Sequence, residues 1–326
     1  MSLSTSKPPA PRLATPKTAA IAARNAADVQ LRGSWSLTFA RLRRDPASIG
    51  SIAVILLIVA FAIGAPLVAA WTGHGPTEQF RDTGLSPSGI PVGPSAEFLL
   101  GADQLGRDVL VRLAYGAQVS LLVGVVASIA ASMIGVVVGV VAGFFGGPVD
   151  TVLSRITDLV MSVPFLLCAI ALVAVLGPSL PLSIAVIVFF SWTGLARVIR
   201  GQVMALRHRE FVEAARSLGA SRTSIMFRDI LPNLVVPIIV YTTLMIPSAI
   251  VFEATLSFLG LGIVPPTPSW GNMLADAANG SLYLIAWWMV VVPGGALLAL
   301  TLAFNLLGDG LRDALDPAAS KGGKGA

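Results

Sequence analysis

Apolar residues run along this chain in long unbroken stretches, and the polar residues are pushed into the gaps between them. Six stretches are long enough to matter: Ser51–Trp71, Val119–Phe144, Val152–Leu176, Leu182–Met204, Leu234–Ala254 and Ile285–Leu307. A bilayer core about 30 Å thick takes roughly 20 apolar residues of helix, so each run predicts a membrane-spanning element. Backbone polar groups in lipid must pair within the segment, which makes the runs helices. A membrane β-barrel would show short alternating segments instead. The pattern predicts an all-α polytopic membrane protein with six transmembrane helices.

Between the runs, the segments differ in kind. Residues 1–33 are rich in Ala, Pro, Ser and Thr and read as a disordered tail. Residues 34–50 place Trp35, Phe39 and Leu42 on one helical stripe beside Arg41, Arg43 and Arg44, the pattern of a helix lying on a membrane surface. Residues 51–118 hold the first span and a long Pro- and Gly-rich loop ending in a helix-compatible stretch, and that length predicts something folded. Residues 119–308 form a five-helix core interrupted by the polar 205–232 loop, and 309–326 form a tail. The apolar, Pro-broken stretch before the sixth span suits a re-entrant or interfacial element.

Pro164, Pro237, Pro247 and Pro293 with Gly294 and Gly295 fall inside spans and are candidate kinks. Trp270, Trp287 and Trp288 read as interface anchors ahead of direct substrate contacts. The small residues of "APLVAA" at 65–70 have the look of a signal-cleavage pattern. Some fifty residues come first, whereas a signal has a short charged start, so the span is expected to stay.

Composition agrees with the pattern: 55% of the 326 residues are hydrophobic and only 12% are charged. Charge adds direction. Eight Lys and Arg precede the first span, five lie in 205–233 with Arg197 and Arg200 just before, and three follow the last span; the alternate loops hold only Arg81, Arg107 and Arg112. By the positive-inside bias, both termini and the 205–232 loop face the cytoplasm. The net charge of +5 therefore reflects topology and implies no nucleic-acid partner. The single cysteine, Cys168, excludes an intramolecular disulfide and reads as a small packing residue.

Catalytic chemistry is absent from the sequence. The two histidines, His74 and His208, belong to no HExxH or Ser-His-Asp arrangement, and no GxxxxGK[ST] phosphate loop occurs. No cofactor or metal is expected on this chain, and it is not expected to hydrolyse ATP. Among charges within spans, Arg155 and Asp158 lie three apart and are expected to satisfy each other or the interface. Glu253 stands alone, as either a pathway or gate residue or a water-reaching structural group.

The polar loop carries the sharpest local pattern. From Glu210 to Leu218, Phe211, Ala215 and Leu218 form a helical stripe, and Arg209 and Glu213 sit four apart on another face. Gly219 offers a left-handed stop, and a second helical run from Ser221 to Ile230 closes at Leu231 and Pro232. These residues predict a helix-turn-helix slung between two spans. Ala214 and Ala215 beside Glu213 allow another protein to approach the backbone and meet one carboxylate.

"EAARSLGASRTSIMFRDILPN" resembles the EAA loop of the permease subunits of ATP-binding-cassette (ABC) importers. In that family the loop is the coupling helix that fits a groove on the ATPase subunit. The resemblance implies docking roles for Glu213, Ala214, Ala215, Arg216 and Gly219, with Leu231 and Pro232 closing the motif. Asp229 stands where the general pattern has Ile.

"LGADQLGRDVLVRLAYGAQVSLLVG", "PPTPSWGNMLADA" and "AFNLLGDGLRDALDP" are similar to segments of the C-type permeases of dipeptide, oligopeptide and nickel importers, with Ala102 where Thr is more frequent. The first makes Gly101, Asp103, Gly106, Arg107 and Asp108 a candidate external motif.

Membership implies a type I ABC importer permease fold in a bacterial inner membrane, and a B-type permease as partner. It also implies one or two cytoplasmic ATPase subunits, holding ATP and Mg, and an extracytoplasmic binding protein. Dipeptides or short oligopeptides are the implied cargo, with nickel or another small solute next. A stand-alone ion-coupled carrier and a membrane enzyme are the remaining classes, and the missing catalytic residues weigh against the enzyme.

Overall fold

The computed structural model describes residues 42–315, so the surface stripe at Trp35 and Phe39, the N-terminal tail and residues 316–326 lie outside the described part. The described chain is built from helices, with two isolated β-bridges, Leu85 to Pro91 and Ala102 to Asp108. In order these are α1 (Pro46–Ile63), α2 (Ala65–Thr72), α3 (Val109–Phe145), α4 (Gly147–Ser162), α5 (Phe165–Leu176) and α6 (Leu180–Leu206). After them come α7 (Glu210–Ser217), α8 (Leu231–Phe258), α9 (Trp270–Ala278) and α10 (Trp288–Leu315). Among the described residues, five helices are long and apolar enough to cross a membrane, and the bent pair α4 and α5 brings the number to six if it is counted as one broken span.

Local chemistry sets most helix ends. Asp45 caps α1: its carboxylate accepts from the amides of Ala47 and Ser48 and from the Ser48 hydroxyl, and those bonds hold it below the usual Asp range. The first span thus starts at Pro46, and it is interrupted at Gly64, before Pro66. α3 begins ten residues earlier than hydropathy placed it, because Asp108 caps it and its first turns bury Arg112. Of the four candidate kink prolines only Pro164 breaks a span, turning α5 by 80° from α4; α8 and α10 run on through Pro237, Pro247 and Pro293.

The tightest packing joins α3 to α6. A Cβ added at Gly135, Gly139 or Gly143 would lie 2.7, 2.6 and 2.7 Å from the backbone oxygens of Trp192, Ala196 and Arg200. Three glycines four apart therefore meet three carbonyls four apart, and the two backbones touch. Lipid gives no hydrophobic drive to helix association, so close approach of this kind supplies the contact energy through dispersion. Large apolar side chains elsewhere, such as Leu57, Leu67 and Val175, stay on the outer surface.

Three expectations need correction here. Asp158 pairs with Arg197 of α6 at 2.9 Å and not with Arg155, since the facing helix offers a guanidinium in line with the carboxylate. Trp270 and Trp288 are not interface anchors: both are buried, and their indole N–H groups donate to the carbonyls of Leu113 and Ala102, each at 3.0 Å. Only Trp287, 57% exposed, is at the surface. The second run of the polar loop is not a separate helix ending at Leu231. A turn at Arg222–Ser224 and a π-helical segment at Ile225–Ile230 lead without a break into α8.

Candidate functional site

The polar loop leaves α6 at Leu206, and three residues later α7 begins. Arg207 ties this exit to the end of α3, donating from Nη1 to the Gly143 carbonyl at 3.1 Å, one of the carbonyls a helix end leaves unpaired. One side of α7 faces inward. Val212 is fully buried and joins Leu195, Ile199, Val203, Ile225, Ile230 and Leu234 in one apolar cluster, with Ala215 and Ala220 packed against it.

α7 ends in a Schellman turn. The Ala220 amide donates to Ala215 O and the Gly219 amide to Arg216 O, both at 3.0 Å, with Gly219 at φ +80°. Nothing lies within 4 Å of a Cβ built on Gly219, so the backbone angle alone demands glycine there. Gly219→Val is expected to strain the turn by about 1–2 kcal/mol. Uptake should fall while the amount of protein in the membrane holds, as read by transport assay and immunoblot on the same vesicles.

The buried and exposed sides of α7 differ from the apolar stripe that the sequence suggested. Phe211 is 43% and Leu218 62% exposed, and they share the surface with Glu213, Ala214 and Arg216. The anchor is Val212, between the stripe positions, and a helical stripe read without its neighbours does not say which side a second helix covers. Leu231 packs into the cluster under α7, and Pro232 follows it where the π-helical segment passes into α8. The loop residues singled out in the sequence thus divide: Ala215 and Leu231 help Val212 hold the loop, while Glu213, Ala214 and Arg216 are exposed. Val212 was missed, and its only signal is an apolar residue one position before the EAA triplet.

At the opposite ends of the spans, the Gly101–Asp108 motif builds a buried ionic knot. Asp103 accepts from the amides of Leu105 and Arg107 at 2.9 and 3.0 Å and from Arg107 Nε at 2.6 Å, and Arg112 Nε stands 3.2 Å from the same carboxylate. Arg107 Nη2 and Gln104 Nε2 reach across to Asp276 of α9 at 2.9 and 2.8 Å. Burial pushes the Asp276 carboxyl above the usual Asp range, and Arg112 and Arg107 pull against that shift.

Asp108 caps α3 through Oδ1, and its Oδ2 lies 2.7 Å from Nδ1 of His74. Gly106 has φ +75°, with Phe80 O 2.7 Å from where a Cβ would stand; at Gly101 a Cβ would meet the Trp288 ring. Sequence reasoning missed Gln104 within the motif, and Asp276 and Arg112, which meet it only through the fold. Asp276→Asn keeps an amide acceptor but removes a charge beside two buried guanidiniums. It is expected to cost about 1–3 kcal/mol, visible as a lower melting temperature of the purified protein.

Glu253 of α8 is 0% exposed. The Ser257 hydroxyl donates to its Oε1 at 2.7 Å and the Ser120 hydroxyl to its Oε2 at 3.3 Å. Ser257 Oγ also accepts from the Ile263 amide, so the carboxylate ties α8, α3 and the following turn together inside the chain. It does not reach water. Asn272 of α9 donates from Nδ2 to Ile263 O at 2.8 Å, and a Cβ on Gly271 would strike Ala254 O at 2.4 Å, so this stretch packs closely against the end of α8. Among the described residues no cluster of His, Cys, Asp and Glu suits a metal ion.

Comparison with known proteins agrees with this architecture. Residues 135–321 match the family described as the binding-protein-dependent transport system inner membrane component, and residues 33–87 match the N-terminal TM domain of oligopeptide transport permease C. The di/tripeptide transport system permease protein DppC of Pseudomonas aeruginosa is 44% identical, over 84% of this chain and 88% of its own length. The oligopeptide permease OppC of Escherichia coli K12 is 41% identical over 89% and 93%, and the dipeptide permease DppC of the same strain 43% identical over 84% and 90%.

A solved structure of the MetNI methionine ABC transporter in an inward-facing conformation aligns with a TM-score of 0.52 at 19% identity, over 63% of this chain and 96% of that one, which speaks for the fold. The ion-paired Gly101–Asp108 segment, the glycine-packed core and the anchored loop with its projecting Glu213 thus sit in a chain that belongs to the inner membrane component family of binding-protein-dependent transport systems.

Proposed function

We propose that this chain forms, with a second and different permease, the translocation path of an ATP-driven importer for dipeptides or short oligopeptides. Cytoplasmic ATPase subunits holding ATP and Mg drive it, and a binding protein on the other side delivers the cargo. Both termini and the 205–232 loop then face the cytoplasm of a bacterial inner membrane. One observation supports the reading most: α7 hides Val212 yet leaves Phe211, Glu213, Ala214 and Leu218 outward, a surface that no other described residue covers. Small residues around one carboxylate and two apolar side chains suit a groove on another protein.

The mechanism follows as mechanics. ATP binding closes two ATPase subunits, their grooves carry α7 inward, and a rigid-body shift tips the spans from inward-open to outward-open. The relatives' names favour peptides as the cargo. Purification tests the reading: the tagged chain should bring down ATPase subunits, and liposomes with the whole complex and binding protein should accumulate labelled dipeptide only with ATP. Transport by the chain alone would replace this reading with an ion-coupled carrier, and accumulation of nickel in place of peptide would change the cargo.

A further inference from the structure

Helix α4 is attached unlike any other span. At its start Gly146 and Gly147 have φ of +66° and +55°, and at its end Val163 and Pro164 turn the chain by 80°. A 16-residue helix thus lies between two breaks. Only Thr157 and Val160 on it are buried. Where α3 and α6 touch backbone to backbone, α4 meets them through Val160, packed with Ala131, Trp192 and Ala196, and beside that contact the three helices line a cleft of about 220 Å³, with Ala142 and Gly139 of α3, Ser154 and Thr157 of α4, and Ala196 and Arg197 of α6 on its walls.

Two ion pairs cross from α4 to α6. Asp150 takes the Arg200 guanidinium on both oxygens, with Nη2 to Oδ2 at 2.7 Å, and Ser154 Oγ donates to the same carboxylate at 3.2 Å. Arg197 Nη2 donates to Asp158 Oδ1 at 2.9 Å. Asp150, Ser154 and Asp158 are spaced by four, so they form one row on α4 facing α6. Arg200 lies seven residues before Arg207, where α6 turns into the polar loop.

We propose that Asp150 and Asp158 are positioning residues for transport: through Arg200 and Arg197 they make the hinged helix α4 follow α6 whenever the 205–232 loop is displaced. The idea rests on the coupling role proposed for that loop. A displaced α7 moves α6 at once, because three residues join them. α3 must go with α6, since their backbones are in contact. α4 is joined to α3 through Gly146, so its start travels with α3, but the two positive-φ glycines leave its angle free. Beyond the apolar contact of Val160 with Ala131, Trp192 and Ala196, that angle against α6 is held by the ion pairs. A bidentate carboxylate–guanidinium pair fixes direction as well as distance, which suits transmission better than a lone point charge. Without the pairs, α6 would slide past α4 and the broken span would lag behind the nucleotide cycle.

The test uses the complete complex in liposomes, with ATPase subunits, partner permease and binding protein, measuring ATP hydrolysis and labelled dipeptide uptake together. Asp150→Arg and Arg200→Asp are each expected to leave hydrolysis within about twofold while uptake falls about tenfold, the size of effect that one coupling contact carries. The swapped pair D150R/R200D should bring uptake back to within about threefold of wild type, because it restores the attraction with the charges exchanged.

The proposal is overturned if uptake is normal in the single variants, if hydrolysis and uptake fall in parallel, or if the swap fails to rescue. Should Asp150→Arg not accumulate in the membrane, Asp150→Asn is measured instead, with the same split between hydrolysis and uptake expected at about threefold. A separate control, Glu213→Lys, locates a failure: normal uptake in that variant removes the loop's role, whereas an inactive Glu213→Lys beside an active Asp150→Arg removes only the α4 clamp.

Discussion

Glu213→Lys is expected to abolish peptide uptake while the protein still inserts and folds. Glu213 is exposed and lies on the outward side of α7, away from the cluster that anchors it, so the substitution leaves the packing of Val212, Ala215 and Leu231 untouched. Surface substitutions clear of caps and cores usually change stability by about 0.5 kcal/mol or less. Against a partner the same change acts with full force. A docking groove that receives a carboxylate presents donors or positive charge, and a lysine there sets like charges face to face and leaves a buried donor unpaired. Losses of about 2–5 kcal/mol are usual for such a reversal, which is roughly 30-fold or more in affinity.

The measurement is a pair. Pull-down of ATPase subunits by the tagged complex should drop, and ATP-dependent uptake should vanish, at unchanged membrane abundance. Normal uptake in this variant would remove the coupling role of the loop.

Gly139→Val should have the opposite profile, with stability reduced and the docking surface untouched. A Cβ at 139 would stand 2.6 Å from Ala196 O and 2.8 Å from the Ile199 Cβ. Backbone atoms cannot swing away as a side-chain tip can, so α3 and α6 must separate along their shared length. That parts Gly135 and Gly143 from their carbonyls as well and opens voids that neither lipid nor water fills well. Overpacking of this kind costs about 1–3 kcal/mol, and the loss of neighbouring contacts adds to it. Lower yield of monodisperse protein in detergent and a melting temperature reduced by several degrees are the expected readings. Gly194, where an added Cβ meets nothing within 4 Å, is the matched control on the same helix pair, and Gly194→Ala should behave as wild type.

Much of this protein is legible one residue at a time. Hydrocarbon leaves the chain no choice but helices, so the apolar runs are enough for the class, whereas four prolines looked alike in the sequence and only Pro164 breaks its run. The loop's chemistry is legible too, because the residues from Glu213 to Gly219 lie within two turns of one another and their spacing is their geometry. The ends of the elements were harder to place. Arg112 and Gln118 look like loop residues by hydropathy, yet Arg112 is buried in α3 with Asp103 and Asp276, and Gln118 donates to Ala62 O at 2.7 Å. A charge reads as solvent-facing until its partner is known.

Sequence by itself thus determined what must be helix, roughly where the apolar spans lie, and which short polar loop breaks them, since each of these depends on neighbours in the chain. Tertiary structure alone decided which side of α7 is hidden, that Glu253 is locked among serines, that Trp270 and Trp288 face inward, and that Asp150 and Asp158 answer to α6. These are matters of which distant residue comes to stand opposite. Burial and charge pairing act through space across separations of tens to hundreds of residues, and hydropathy along the chain carries no trace of them.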